Sequence, residues 1–181
     1  MEQMSFNKLL LKTAFSCMAC DGDIDKREVV LIKSMHNERQ VFGDIDIEKE
    51  LDELLLSINH DGQKFLKGFF NELSTNELTE DEELKLIEAA IDTIKADKKV
   101  EYSEIKFFKV IRSKLKIEND PILEIHPDFE EYLEQDIISD SYLARLQDDF
   151  FDTHTSKEFE LISSIDDNVL KNLKEEDGKQ E

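Results

Sequence analysis

Apolar residues recur at the spacing of an α-helix along most of the chain, and this periodicity constrains the fold more than any other feature. In "SFNKLLLKTAFSCMA" the stripe consists of Phe6, Leu9, Leu10, Thr13, Ala14, Cys17 and Met18. Such spacing is typical of an amphipathic helix. Only 5 Gly and 2 Pro occur in 181 residues, and these are too few for the turns of a multi-stranded sheet. The sequence therefore predicts an all-α protein.

The starts and ends of this periodicity predict where the helices lie. The first helix extends to about Cys20, and the second follows the turn "DGDI" and extends to about Arg39. Gly43 then interrupts the pattern. Turn and N-cap residues in "STNELTEDEE" precede the fifth helix. The later helices are predicted over residues 46–58, 62–74, 80–96 and 102–116.

A repeat emerges when the chain is shifted by 76 positions, so that "LLKTAFSCMACDGDIDKREVVLI" lies over "LIEAAIDTIKADKKVEYSEIKFF". The apolar phase is kept on both sides of the turn. The shift also superposes three acidic pairs, namely Asp21 on Asp97, Asp25 on Glu101 and Glu28 on Glu104. We therefore expect two similar helix–turn–helix units that pack in one bundle.

The two turns, "ACDGDIDKRE" and "KADKKVEYSE", share an Ala or Cys, an Asp, a short apolar residue and a Glu that opens the next helix. This pattern resembles the TerB-like, tellurite-resistance-associated family over roughly residues 5–117. The resemblance implies an all-helical bacterial bundle that binds divalent cations through acidic clusters and accompanies stress-response or defence systems. Two positions depart from the family pattern, because Cys20 stands where Ala is usual and Lys98 replaces the glycine of the second turn.

Two interpretations of the turn carboxylates stay open. In the structural one, Asp25 and Glu28 are an N-cap and N3 pair, and such a cap contributes about 1 kcal/mol without any metal. In the other, the two turns converge and bind Ca²⁺ or Mg²⁺, since these hard cations prefer carboxylate oxygens. The candidate metal ligands are Asp21, Asp25, Glu28, Asp97, Glu101 and Glu104.

An EF-hand is excluded by the spacing of the first turn. Counted from Asp21, that loop needs Gly at its sixth position and Glu at its twelfth. Lys26 and Ile32 occupy these places. Any cation site here would have a looser arrangement of oxygen ligands.

No pattern in the chain predicts catalysis. Cys17 and Cys20 are one helical turn apart and lack the second half of a zinc site, so we interpret them as reduced core thiols. The four histidines are scattered, and no Ser or Cys belongs to a recognisable nucleophile motif. The sequence therefore predicts a non-enzymatic protein with no cofactor beyond the candidate cation. An unrecognised metal-dependent hydrolase is the third alternative.

The formal net charge of −21 limits the partners. It opposes binding to nucleic acid and to anionic lipid, and it leaves cations or a basic protein surface as binding partners. The first residues lack a basic leader before an apolar run, so we expect a cytoplasmic protein that does not insert into membranes.

Pro121 and Pro127 interrupt helical continuity and suggest a boundary between a bundle, residues 1–117, and an acidic helical C-terminal extension, residues 118–181. The extension has 20 acidic and 5 basic residues, net −15, and ends in "KEEDGKQE", which reads as a short disordered tail. We expect it either to dock a basic partner or simply to keep the protein soluble. The side chains expected to attach it to the bundle are Phe129, Tyr132, Leu133, Ile137, Tyr142, Leu146, Phe150 and Phe151.

Taken with the resemblance, these features predict a non-enzymatic TerB-like module of a bacterial stress-response or defence pathway that binds a divalent cation at its inter-helix turns. The alternative is an acidic protein-interaction adaptor that needs no metal.

Overall fold

The computed structural model describes residues 5–20, 24, 26–96, 100, 102–133 and 161–162. All of its regular elements are helices, and no strand occurs in these ranges. The elements are α1 (Phe6–Met18), α2 (Lys26–Arg39), α3 (Ile47–His60), α4 (Gly62–Thr75), α5 (Glu80–Ile94), α6 (Tyr102–Lys114), α7 (Asn119–Ile125), a 3₁₀ helix (Pro127–Phe129) and α8 (Glu130–Leu133). The all-α helical bundle is confirmed. None of these helices is long and apolar enough to cross a lipid bilayer.

Local capping explains why three of the helices begin where they do. The side chain of Asp46 accepts a hydrogen bond from the backbone of α3, and that of Asp61 accepts one from the backbone of α4. Before α5, Thr79 and Glu82 form a reciprocal capping box. Such side chains satisfy backbone N–H groups that have no partner within the first turn. The N-cap predicted from "STNELTEDEE" is therefore present.

Helix α1 lies at the centre of the bundle and packs against α3, α4, α5 and α6. Its residues from Leu9 to Met18 are all buried. The single apolar stripe predicted for α1 was therefore too narrow, because a helix with neighbours on several sides buries more than one face. Even Lys12 is only 8% exposed, and its Nζ lies 2.8 Å from Glu72 Oε2 and 5.1 Å from the centre of the Phe65 ring.

The loop between α2 and α3 depends on Gly43. Its φ of 67° lies in the left-handed region, where a side chain is strained and glycine is not. A Cβ atom at this position would lie 2.3 Å from Nδ2 of Asn7 in α1. Glycine thus allows both the turn and the close approach of the loop to α1, and the predicted interruption at Gly43 is confirmed.

The segment after α6 packs back onto the bundle. Helix α7 contacts α5, and α8 contacts α6. Pro121 lies in the first turn of α7, where its missing N–H removes no hydrogen bond. The break in helical continuity therefore falls before this proline, at residues 115–118. This differs from the sequence-based expectation that Pro121 itself interrupts a helix.

The described part of the predicted extension shares the core of the bundle. Ile122, Phe129, Leu133 and Ile162 are buried in the same apolar cluster as α1 and α5. Two of the residues expected to attach the extension are thus in place, Phe129 and Leu133, and Tyr132 is partly buried. The others lie outside the described residues, as does the tail "KEEDGKQE": Ile137, Tyr142, Leu146, Phe150 and Phe151. The division into 1–117 and 118–181 stays a prediction.

Candidate functional site

The repeat found in the sequence coincides with the helices. A shift of 76 positions carries the end of α1, Met18, onto the end of α5, Ile94, and the start of α2, Lys26, onto the start of α6, Tyr102. The two units also pack crosswise, because α1 contacts α5 and α6 while α2 contacts α5. The second helix of each unit therefore lies against the first helix of the other unit.

Two glutamates occupy equivalent positions in these units. Glu28 is the third residue of α2, and Glu104 is the third residue of α6. Both are buried, with 8% and 7% of their surface exposed, whereas glutamate is seldom buried so fully unless it interacts with other groups. Both are engaged in such interactions.

Both carboxylates act on the same buried thiol. Burial raises the pKa of Cys17, in the last turn of α1, well above its usual value, and the negative charges of Glu104 and Glu28 raise it further. The thiol of Cys17 therefore stays protonated at neutral pH and is a poor nucleophile. The first turns of α2 and α6 are thus both close enough to the end of α1 to influence one group there.

Of the six candidate metal ligands, Glu28 and Glu104 lie in the described part of the chain. The other four, Asp21, Asp25, Asp97 and Glu101, lie outside it. Among the described residues, no group of three or more His, Cys, Asp or Glu side chains is placed to hold a metal ion. Glu28 and Glu104 both lie within electrostatic range of Cys17, and the complete ligand set stays a prediction.

The cysteines and two of the histidines have structural surroundings. Cys17 and Cys20 are both buried and not in a disulfide, as expected for reduced core thiols. The ring of His36 stacks on that of Phe42, with their centres 6.5 Å apart. His126 meets Phe129 edge-on at 6.4 Å.

A third buried carboxylate was missed by reasoning from the sequence. Glu83, in the first turn of α5, is 6% exposed, and its Oε2 accepts hydrogen bonds from the backbone N–H groups of Lys116 and Ile117. It fixes the link between α6 and α7. The periodicity did contain a signal, because Glu83 lies three and four positions before the buried Leu86 and Ile87 and so shares their helix face.

No family model, no curated protein and no solved structure matches this chain. The TerB-like resemblance therefore depends on the two turn sequences alone.

Proposed function

We propose that the protein is a non-enzymatic, cytoplasmic module of the TerB-like kind that binds a divalent cation between its two inter-helix turns. The cation would be Ca²⁺ or Mg²⁺, and the pathway a bacterial stress-response or defence system such as tellurite resistance. The observation that carries the proposal is the pair Glu28 and Glu104, equivalent residues of two repeated units, both buried and both acting on the Cys17 thiol.

The chemistry of this pair suits a cation. Both carboxylates act on one buried thiol, and carboxylate oxygens are the ligands that Ca²⁺ and Mg²⁺ prefer. The acidic residues that precede each glutamate in the sequence, among them Asp21 and Asp97, would complete the ligand set.

Calorimetric titration of the metal-free protein with Ca²⁺, Mg²⁺ and Zn²⁺ tests this function. We expect heat of binding in the wild-type protein and its loss in Asp21→Asn and Asp97→Asn, with Glu77→Gln as a control because Glu77 is exposed and outside both turns. At a cation concentration of about 100 times Kd, binding would stabilise the fold by about 2.7 kcal/mol. Absence of both heat and thermal shift at millimolar cation would refute the cation site.

A second candidate function is that of an adaptor for a basic protein segment, which the net charge of −21 favours. An experiment can distinguish the cation-binding module from the adaptor, because an adaptor would bind its partner equally well in the presence of a chelator. Its binding should weaken as salt screens exposed charges over about 8 Å at physiological ionic strength. A truncation to test the acidic extension should follow Leu133, because Phe129 and Leu133 are core residues.

A further inference from the structure

A half-open groove with a volume of about 460 Å³ lies between the start of α1, the end of α2 with the loop after it, and one face of α5. This volume is in the range of sites that bind small molecules or single side chains with part of a peptide. None of the lining residues belongs to the turns that precede α2 and α6. The groove is therefore separate from the proposed cation site.

The apolar part of the lining can accept an aliphatic chain. Leu10, Met35 and Ala89 are buried and line the groove, and Phe6 and Val41 add partly exposed surface to them. Lysine and arginine side chains pack their methylene stems on such surfaces while their charged ends stay near water.

One charged side chain of the lining has no ion-pair partner among the described residues. Arg39 Nη1 lies 3.5 Å from Asp92 Oδ2, and Lys85 Nζ lies 3.6 Å from Asp81 Oδ2, so both cations are paired. The side chain of Glu88 forms no hydrogen bond or ion pair with any residue in the described ranges. Glu88 lies one helical turn from both Lys85 and Asp92 on α5, and both of these neighbours are already in ion pairs. Among the described residues, no cation of the lining is therefore paired with Glu88.

Two side-chain amides complete the lining. Asn7 and Gln40 both face the groove, and neither side chain has a hydrogen-bond partner within the part of the chain that the structure describes. Gln40 adopts a φ of 54°, a conformation that is uncommon and strained for residues other than glycine. An amide both donates and accepts hydrogen bonds, so these two side chains could bind a peptide backbone.

We propose that this groove binds a lysine or arginine side chain from an extended basic segment of a partner protein. The stem packs on the partly exposed side chains of Phe6 and Val41, the cationic end pairs with Glu88, and the amides of Asn7 and Gln40 bind the flanking backbone. The net charge of −21 draws basic segments towards the protein. This proposal rests on the adaptor role given above and assigns it a site in the bundle instead of the acidic extension.

The test is a nuclear magnetic resonance titration of the full chain with a short peptide in which leucine alternates with arginine. A matched peptide carries citrulline, the neutral isostere of arginine, at every arginine position. We expect the arginine peptide to shift the backbone amides of residues 39–43 and 85–92. Glu88→Gln should weaken binding about five- to tenfold, as expected for the loss of one charge-assisted contact. The control Glu77→Gln, which removes the same charge from an exposed position, should change the affinity less than about twofold.

Each other outcome overturns the groove site. An equal loss of affinity in Glu88→Gln and Glu77→Gln would mean that only the overall charge of the protein attracts the peptide. Equal affinities for the citrulline and arginine peptides would mean that the site recognises the apolar residues of the peptide. Arginine-dependent shifts outside the groove would refute this site and leave the adaptor role intact. If neither peptide binds, both the groove and the adaptor role fail. The chemical-shift changes of the wild-type protein locate the bound peptide by themselves, so the test stays decisive even if a variant is unstable.

Discussion

Removing the carboxylate of Glu83 should destabilise the whole bundle. Its Oε2 accepts hydrogen bonds from the backbone N–H groups of Lys116 and Ile117, at 2.7 and 2.6 Å. These bonds tie the start of α5 to the link between α6 and α7, and α7 in turn contributes the fully buried Ile122 to the core. Loss of the carboxylate therefore affects the attachment of the segment after α6 as well as one local contact.

The magnitude follows from the two donors that would lose their acceptor. A hydrogen bond to a charged acceptor contributes about 1.5–3 kcal/mol, and a buried donor without a partner costs about 1–3 kcal/mol. We therefore expect Glu83→Ala to lower the free energy of unfolding by about 2–4 kcal/mol, because the bond to Ile117 is buried and that to Lys116 is partly buried. Glu83→Gln keeps an oxygen acceptor and loses only the strengthening by charge, so its cost should be about 1–2 kcal/mol.

Urea unfolding followed by circular dichroism measures both variants, with Glu77→Ala as the control. Glu77 is exposed, so its replacement should change the free energy of unfolding by less than about 0.5 kcal/mol. Hydrogen exchange should show faster exchange at the Lys116 and Ile117 amides in Glu83→Ala than in the wild-type protein. A decrease of about 1 kcal/mol or less in the free energy of unfolding of Glu83→Ala would refute the reasoning, because the buried N–H of Ile117 and the partly buried N–H of Lys116 both lose a charged acceptor.

The remaining predictions concern backbone conformation, capping and thiol chemistry. Gly68→Ala should stabilise the protein by about 0.5–1 kcal/mol, because a Cβ atom at this position within α4 meets open space. Gly43→Ala should instead lower the free energy of unfolding by about 1–3 kcal/mol, because Gly43 has a positive φ and the side chain of Asn7 would have to move. Denaturant unfolding should therefore show opposite signs for the same chemical change. Thr79→Ala should lower the free energy of unfolding by about 1 kcal/mol, because α5 loses its N-cap. An unchanged midpoint of the denaturant unfolding curve would contradict this prediction. Cys17, whose raised pKa leaves little thiolate, should react with iodoacetamide far more slowly in the folded protein than in urea, as mass spectrometry can measure. Equal rates would contradict its burial.

The local features of the fold could be predicted because their causes are local. The apolar period predicted every helix from α1 to α6, since the 3.6-residue repeat depends only on which face of the helix is buried. The stretch "STNELTEDEE" predicted the start of α5, because its capping residue, Thr79 in the structure, bonds within the same turn. The shift of 76 positions predicted two similar units, and the ends of α1 and α5 coincide under it.

The burial of charged residues was decided by the tertiary structure. The sequence pattern indicates which face of a helix is apolar, but it does not indicate how many helices pack around it. Lys12 is therefore buried in the central helix although it lies outside the predicted stripe. For the same reason, Glu83 could not be paired with the backbone at Lys116, 33 positions away. The approach of Glu28 and Glu104 to Cys17 likewise depends on the crosswise packing of the two units. Local sequence determines hydrogen bonds within a turn, whereas contacts between distant segments exist only once the helices have packed.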